Sequence, residues 1–360
     1  MNATLFLAVL FVLILLHELG HFLTAKWTKM KVEEFAIGFP PRLFSWRRDE
    51  TVFSFNILPI GGFVRILGEN GEDEISAGDK ARSFASRPRH HQAIVLVAGV
   101  VMNILTAWLI FYAVSIIGQP TIAAEGEPAD LTVVGVLEGS PAEGAGIPLG
   151  AIVVSVGAGE ETRKLYTPTE LTEFVANHQE DEIALTYDYR NDTKTVALTP
   201  SNDVVASETD RAVIGLSTAP VKVVKEGPLE AVWSATQRTS DSFVAITIGI
   251  FTLLSSAFTF SADLSQVAGP IGIASLVGDA AEFGIVSLLV FTAMISLNLA
   301  VINLLPIPAL DGGRLLFVII EAILRRPLNP VWMSRANLLG FSLLIILMIA
   351  VTYNDIVKLI

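Results

Sequence analysis

Cysteine is absent from the 360 residues. That excludes disulfides and thiolate-held metals, and it leaves histidine and carboxylates as the side chains able to hold a zinc ion. Histidine is itself scarce, at five, so any site built on imidazole draws on a short set. Charged residues make up only 17% of the chain against 52% hydrophobic, with a mean hydropathy of +0.59. This composition excludes an ordinary soluble domain and points to a polytopic membrane protein. Basic residues are few and do not cluster with aromatics, which argues against a nucleic-acid partner. Inverted internal repeats, expected of a transporter with polar groups at the bilayer midplane, are not visible.

Four stretches are long enough to cross a bilayer, which takes about 20 predominantly apolar residues. They run Ala3 to Trp27, Ala93 to Gly118, Gly284 to Leu305 and Leu338 to Tyr353, the last lengthened by Val331 to Met333 if tilted. The first lacks a basic leader and a small-residue cleavage site, so it does not read as a removable signal peptide. Lys and Arg number eleven between Lys26 and Arg89 and four between Arg314 and Arg335. The positive-inside rule therefore places both connections in the cytoplasm, and both termini and the segment between spans two and three outside. A fifth stretch, Phe243 to Ala262, is nearly apolar enough to cross. A crossing there would reverse span three, so it is expected to lie in the interface or dip into it.

Between Gln119 and Asp241 stand 8 Lys+Arg and 20 Asp+Glu, a balance of 8 − 20 = −12 that equals the whole chain's. That marks a separate acidic domain outside the membrane. Short β-rich runs (131–137, 152–156, 183–189, 194–198) and a helix over Thr167 to Asn177, N-capped by Thr167 or Thr169, predict an α+β fold. Four segments follow: residues 1–118 and 284–360 as the two halves of a membrane core, 119–220 as the outer domain, and 221–283 as linker and interfacial helices.

The chemistry-bearing signal is His17-Glu18-Leu19-Gly20-His21, at the end of an unbroken apolar run. Residues four apart share a helix face, so His17 and His21 can aim two imidazoles at one Zn²⁺ with Glu18 beside them. The bland alternative is a helix-end histidine pair solvated at the headgroups. Ionisable groups inside an apolar span are costly without a partner, and a bound cation supplies one. A second signal is the run Asn303-Leu304-Leu305-Pro306-Ile307-Pro308-Ala309-Leu310-Asp311-Gly312-Gly313-Arg314. Its two prolines stop the third span and put Asp311 on irregular backbone, tolerated in a membrane only where it lines a cavity or packs in protein. Asp311 is a credible third ligand, or else a cap for the next helix.

Thr51 to Leu67 alternates apolar and β-branched residues around Pro59 and Gly61-Gly62, predicting a hairpin or short sheet turned at the glycines. It is either tucked against the spans near the metal, where its edge can capture an unwound peptide, or a peripheral surface hairpin. His90, His91 and His178 lack ligand spacing, and Asn2, Trp46 and Arg65 read as interface or packing residues.

With these motifs in this order, the chain resembles the site-2 protease family of intramembrane zinc metalloproteases. The resemblance rests on H-E-L-G-H in the first span, N-x-x-P-x-P-x-L-D-G-G in the third, Gly269-Pro270-Ile271-Gly272-Ile273 before it, and the outer insert. There, Gly139 to Ile147 followed by Gly150 is similar to the S-P-A-x-x-A-G-[IL] signature of a bacterial PDZ domain, although Ala151 stands where many such domains have aspartate. The layout is similar to the bacterial branch that includes the regulator-of-sigma-E protease, with one PDZ-like segment where that enzyme has two.

The resemblance implies that His17, His21 and Asp311 bind zinc, that Glu18 is the catalytic base, and that Asn303 positions substrate or steadies the reacting carbonyl. Gly61 and Gly62 join them as substrate-strand residues. The expected architecture is four transmembrane helices with a membrane-associated β segment and an extracytoplasmic PDZ-like domain, in a bacterial cytoplasmic membrane with the active site toward the cytoplasm. Single-span or signal-peptide-like proteins are the expected substrates, with a peptide ligand for the PDZ-like domain. The alternative is an inactive membrane scaffold that binds peptides through that domain; an intact Glu18 argues against it.

Overall fold

The computed structural model describes residues 2–69, 75–76, 78–124, 126–159, 161–190, 192–201, 213–259 and 268–359. In chain order the first elements are α1 (Asn2–Trp27), β1 (Val32–Arg48), β2 (Thr51–Ile66) and α2 (Arg89–Ile117). Then come β3 (Gln119–Ile122), β4 (Asp130–Val136), α3 (Pro141–Gly144), β5 (Ile152–Ala158), β6 (Glu161–Lys164), α4 (Pro168–Asn177), β7 (Ile183–Tyr189), β8 (Asp192–Leu198) and β9 (Leu216–Val224). The chain closes with α5 (Pro228–Phe258), α6 (Pro270–Glu282), α7 (Ile285–Leu304), α8 (Asp311–Leu324) and α9 (Pro330–Leu359). These form two compact units, one of Met1–Ala113, Leu229–Gly278 and Leu289–Ile360, the other of Val114–Pro228 and Asp279–Leu288.

Five helices among the described residues are long and apolar enough to cross a membrane: α1, α2, α5, α7 and α9. At 1.5 Å per residue the 26 residues of α1 reach about 39 Å, more than the roughly 30 Å hydrocarbon core. Alanines let three of the helices approach closely: Ala107 and Phe111 of α2, Ala235 of α5, and Ala293 and Leu297 of α7 share one buried cluster. Polar bonds join the same helices. Ser296 Oγ donates to the Asn103 carbonyl at 2.8 Å, and Trp108 Nε1 donates to Thr236 Oγ1 at 3.0 Å.

The fourth expected span is longer than its apolar run suggested, because Pro330 starts a helix that holds to Leu359. The stretch expected as a separate interfacial helix from Phe243 belongs to the 31-residue α5, which begins at Pro228; residues 260–262 lie outside the described residues. The polar run Ser234 to Asp241 hid its first turns from a search for unbroken apolar sequence, yet on the helix those groups alternate with Ala235 and Phe243, which pack inward.

The β segment departs further from expectation. The turn between β1 and β2 is Asp49-Glu50, with Asp49 at φ 54°; the reversal expected at the glycines comes after it, inside β2 between 56 and 62, with Gly61 at φ 94°. The missed partner is β1, whose alternation is broken by Pro40-Pro41 and whose Arg42, Arg47 and Arg48 read as loop. β1 and β2 fold into more than a plain hairpin. Residues 32–37 pair antiparallel with 62–66, and 42–48 pair antiparallel with 51–56. Positions 34–37 also face 52–55 with a constant offset (52 − 34 = 55 − 37 = 18), the spacing of two segments running the same way. The order across this small sheet is thus 62–66, 32–37, 51–56, 42–48, and 62–66 forms one edge.

The turn is tied down electrostatically. Arg82 and then Lys26, at 2.7 and 2.9 Å, hold the Glu50 carboxyl down at about 2. Because the folded value lies below the ordinary 4.5, the stability it brings is fully present above that value and is lost as pH falls toward about 2. The melting temperature of Glu50→Gln should therefore fall below wild type at pH 7 and pH 5, with the gap closing below pH 4. A gap independent of pH would mean the carboxylate's charge contributes nothing.

The second unit carries a seven-stranded sheet in the order β3-β9-β4-β5-β7-β8, with β6 paired to β5. Its core gathers Val133, Val153, Val156, Leu171, Phe174, Ile183 and Leu185. The expected strands and helix fall where the sequence placed them. Thr167 is the N-cap of α4, in a reciprocal capping box with Glu170.

Candidate active site

α1 presents His17 and His21 one turn apart, both buried, and Asp311 at the start of α8 meets them from 294 residues away. His17 Nε2 lies 3.0 Å from Asp311 Oδ2, His21 Nε2 lies 3.2 Å from the same oxygen, and the two Nε2 atoms are 3.1 Å apart. His21 Nδ1 donates to the Val95 carbonyl of α2 at 2.8 Å, which fixes the tautomer and leaves Nε2 as a bare lone pair. Three potential ligand atoms therefore converge within 3.2 Å of one another, a spacing that one cation can bridge. Four ligands at zinc's usual 2.0–2.1 Å stand about 3.3 Å from one another in a tetrahedron, close to the separations found here. His17 Nδ1 is buried with no hydrogen-bond partner among the described residues.

Why the backbone can bring these groups together is visible at two glycines. A Cβ on Gly99 of α2 would lie 2.4 Å from His21 Nε2 and 2.7 Å from His17 Nε2, so the hydrogen of glycine is the only side chain that leaves the imidazoles in place. One on Gly20 would lie 2.5 Å from the Ala98 carbonyl, so that glycine sets how closely α1 and α2 pack. On the opposite side, the bend at Pro306 and Pro308 ends α7 and delivers Asp311 as the first residue of α8, not as a cap for it: the N-cap is Leu310.

Glu18 points off the ligand face into a cavity of about 430 Å³, shared with His21 and Asp311. One wall of that cavity is the sheet edge, through Phe63, Val64, Arg65 and Ile66. Gly62 abuts Glu18, since a Cβ there would stand 3.6 Å from Glu18 Cγ and 2.8 Å from the Ala36 carbonyl. Gly61, at φ 94°, packs instead beneath the Phe39 ring. Arg65 does more than pack, because it lines the cavity. Asn303 is half-buried near the end of α7 and is not among the residues lining it. His90 and His91 meet edge to face, and His178 closes α4, with its ring on Phe174 and its Nδ1 donating to the Phe174 carbonyl. Among the described residues, His17, His21 and Asp311 form the one cluster of three groups placed to hold a metal.

Three contributors escaped the sequence: Gly99, whose lone glycine in an apolar span is an ordinary feature of such spans; Val95, which acts through its backbone; and Glu69, which lines the cavity from the turn after β2.

The chain is similar to known proteins over nearly its whole length. A profile of peptidase family M50 matches residues 5–347. The chain is similar to the zinc metalloprotease RasP of Shouchella clausii, at 28% identity with 98% of each chain covered. It is 34% identical to a putative zinc metalloprotease of Clostridium perfringens, over 96% of this chain and 95% of the relative. It is 30% identical to the regulator of sigma-W protease RasP of Bacillus subtilis, over 98% of each.

Proposed function

The chain belongs to peptidase family M50 and is a zinc metalloprotease of the membrane; from that premise we propose that it cuts single-span or signal-peptide-like substrates within the bilayer, with His17, His21 and Asp311 as zinc ligands and Glu18 as the catalytic base. The observation that carries this reading is the convergence of the three ligand atoms on an apolar helix, beside a cavity that holds Glu18. A zinc ion held by His17, His21 and Asp311 would supply the Lewis acidity that lowers a water's pKa toward about 7 and polarises the scissile carbonyl. Glu18 takes a proton from the attacking water and passes it to the leaving nitrogen, so that a neutral amide and water become a carboxylic acid and an amine, and the acid's proton then passes to the amine to leave a carboxylate and an ammonium.

A transmembrane substrate is helical, and its carbonyls are already hydrogen-bonded and shielded. It must unwind before attack, which strands backbone groups in an apolar setting at a cost of several kcal/mol each. The edge 62–66 offers replacement partners beside Glu18, and an added strand there would run along the cavity wall. Gly62 allows the close approach of this edge to Glu18. Gly61 gives the turn its conformation, and Asn303 is assigned to steadying the reacting carbonyl on family resemblance. Val64→Pro should abolish cleavage of a tagged single-span substrate while zinc content stays at the wild-type level. Undiminished cleavage would sink strand capture and leave the metal site standing.

The orientation we propose puts the connections 26–89 and 314–335 in the cytoplasm, and the acidic unit and both termini outside. The proposed ligands His17, His21 and Asp311 lie toward the C-terminal ends of α1 and α7 and beside the N-terminal third of α2. α1 and α7 accordingly run in the same sense, so the chain between α2 and α7 makes an even number of crossings. This agrees with α5 entering the membrane without a net traverse between the outer unit and α7. The outer unit is assigned as a PDZ-like peptide binder on its Gly139 to Ile147 run, where Ser140 caps α3. The scaffold reading has no observation in its favour once the cavity holds Glu18.

A further inference from the structure

The edge 62–66 carries one charged side chain, Arg65, and it lines the cavity that holds Glu18. The cavity's other guanidinium, Arg314, is paired with Glu69. Arg65 has no such tie. Its cross-strand neighbour is Glu34, but that buried carboxylate is already served: its Oε1 accepts from Arg42 Nη2 at 2.6 Å and from Ser54 Oγ at 2.7 Å. Arg65 Nη2 stands 3.8 Å from Glu34 Oε2, beyond hydrogen-bond reach. Among the described residues its other polar or ring contact is Phe63, whose ring centroid lies 5.7 Å from the guanidinium carbon. The Arg65 side chain is 56% exposed, against 7% for Glu34.

Side chains alternate across a strand, so Phe63 and Arg65 share one face of this edge and Val64 and Ile66 the other. Val64 and Ile66 pack with Phe22, Ala25 and Val95 of the helices. Arg65 therefore lies on the face turned away from that core. A peptide added along the edge sets its own side chains beside Arg65 on that face, where opposite charges on neighbouring strands attract and like charges repel. Gly62 abuts Glu18, and three residues of strand cover about 10 Å. The residue beside Arg65 is thus about three positions from the bond under attack. An ionisable group in a membrane-embedded element is costly without a partner. Carboxylates are the matching class, because a guanidinium binds them through paired N–H donors and stays charged under all relevant conditions.

We propose that Arg65 is a specificity-determining residue of the capture edge: it selects substrates that carry an aspartate or glutamate about three residues from the scissile bond, on the face of the added strand that lies beside Phe63. Glu34, held by Arg42 and Ser54, leaves the Arg65 charge for the substrate. The proposal rests on the proteolytic and strand-capture reading above, but its test does not require cleavage.

The test uses zinc-loaded full-length protein in nanodiscs of zwitterionic lipid, which offers Arg65 no anionic headgroup. Substrates are tagged single-span proteins in which a glutamine is moved position by position along the cytoplasmic end of the segment, each paired with a glutamate version. Capture is read as Kd on Glu18→Gln protein, so that binding is measured without cutting. Glutamate should bind about fivefold tighter than glutamine at alternate positions and no tighter at those between, because a shift of one residue moves the carboxylate to the other face. Adding Arg65→Gln should bring each pair to a common Kd, and Arg65→Glu should favour lysine at the same positions. Equal Kd for glutamate and glutamine at every position, a preference that ignores position, or one that survives Arg65→Gln overturns the proposal. The position scan needs no change at Arg65, so it decides alone if those variants do not fold. Failure of the proteolytic reading would show separately, as wild-type protein that leaves every substrate uncut while the Kd values still report the preference.

Discussion

Glu18→Gln should lower cleavage of a single-span substrate by about a thousandfold, while zinc content and the melting temperature stay within error of wild type. Positioned acid–base groups contribute roughly 10²–10⁴ in rate, and Glu18, adjacent to His17 in the chain, shares a cavity with His21 and Asp311 without joining the ligand cluster, whereas the cavity's other non-ligand carboxylate, Glu69, is paired with Arg314. Glutamine keeps the shape and removes the ability to take a proton. Equal loss of zinc would mean that Glu18 is a ligand; unchanged cleavage would mean that it is not the base.

Gly99→Ala should be as damaging to activity by a different route, through the metal. The new methyl would need to occupy space 2.4 Å from His21 Nε2 and 2.6 Å from His17 Cε1, both atoms of buried rings. His21 is anchored to the Val95 carbonyl on the same helix as Gly99, so it cannot rotate away without losing that bond. The expected result is a protein that folds into the membrane and has lost most of its zinc. Ala98→Gly is the control, since it removes a methyl on the same turn and should leave zinc in place. Full zinc in Gly99→Ala would show that α2 stands farther from the imidazoles than described.

These two residues also show what a sequence can disclose. Glu18 announces itself, because helical periodicity fixes its relation to His17 and His21 with no knowledge of tertiary structure. Asp311 was legible for a related reason: two prolines and two glycines predict irregular backbone, and irregular backbone inside a membrane must line something. Gly99 carries no such mark. Its role comes from the crossing of α1 and α2, and nothing within its own helix distinguishes it from other small residues. The β segment illustrates the same limit. Alternation identified β2, but β1 was hidden by Pro40-Pro41 and by three arginines, one of which, Arg42, donates to the buried Glu34 carboxylate at 2.6 Å. The position of the turn, and with it the identity of 62–66 as an edge, depended on that unseen partner. α5 was obscured in a related way, since polar residues on its exposed side interrupt the apolar run although its inward positions keep helical spacing.

The fold thus holds the site through three independent constraints: a helix that pairs two imidazoles, a second helix whose glycine permits them to be approached, and a broken third span that returns a carboxylate. Removing any one should release the ion. Zinc per chain, measured on purified wild type and on His17→Ala, His21→Ala and Asp311→Ala, tests this most directly. The expected result is about one zinc in wild type and nearly none in each variant, including Asp311→Ala. Zinc retained in full by Asp311→Ala would contradict the shared site and leave the histidine pair without its third ligand.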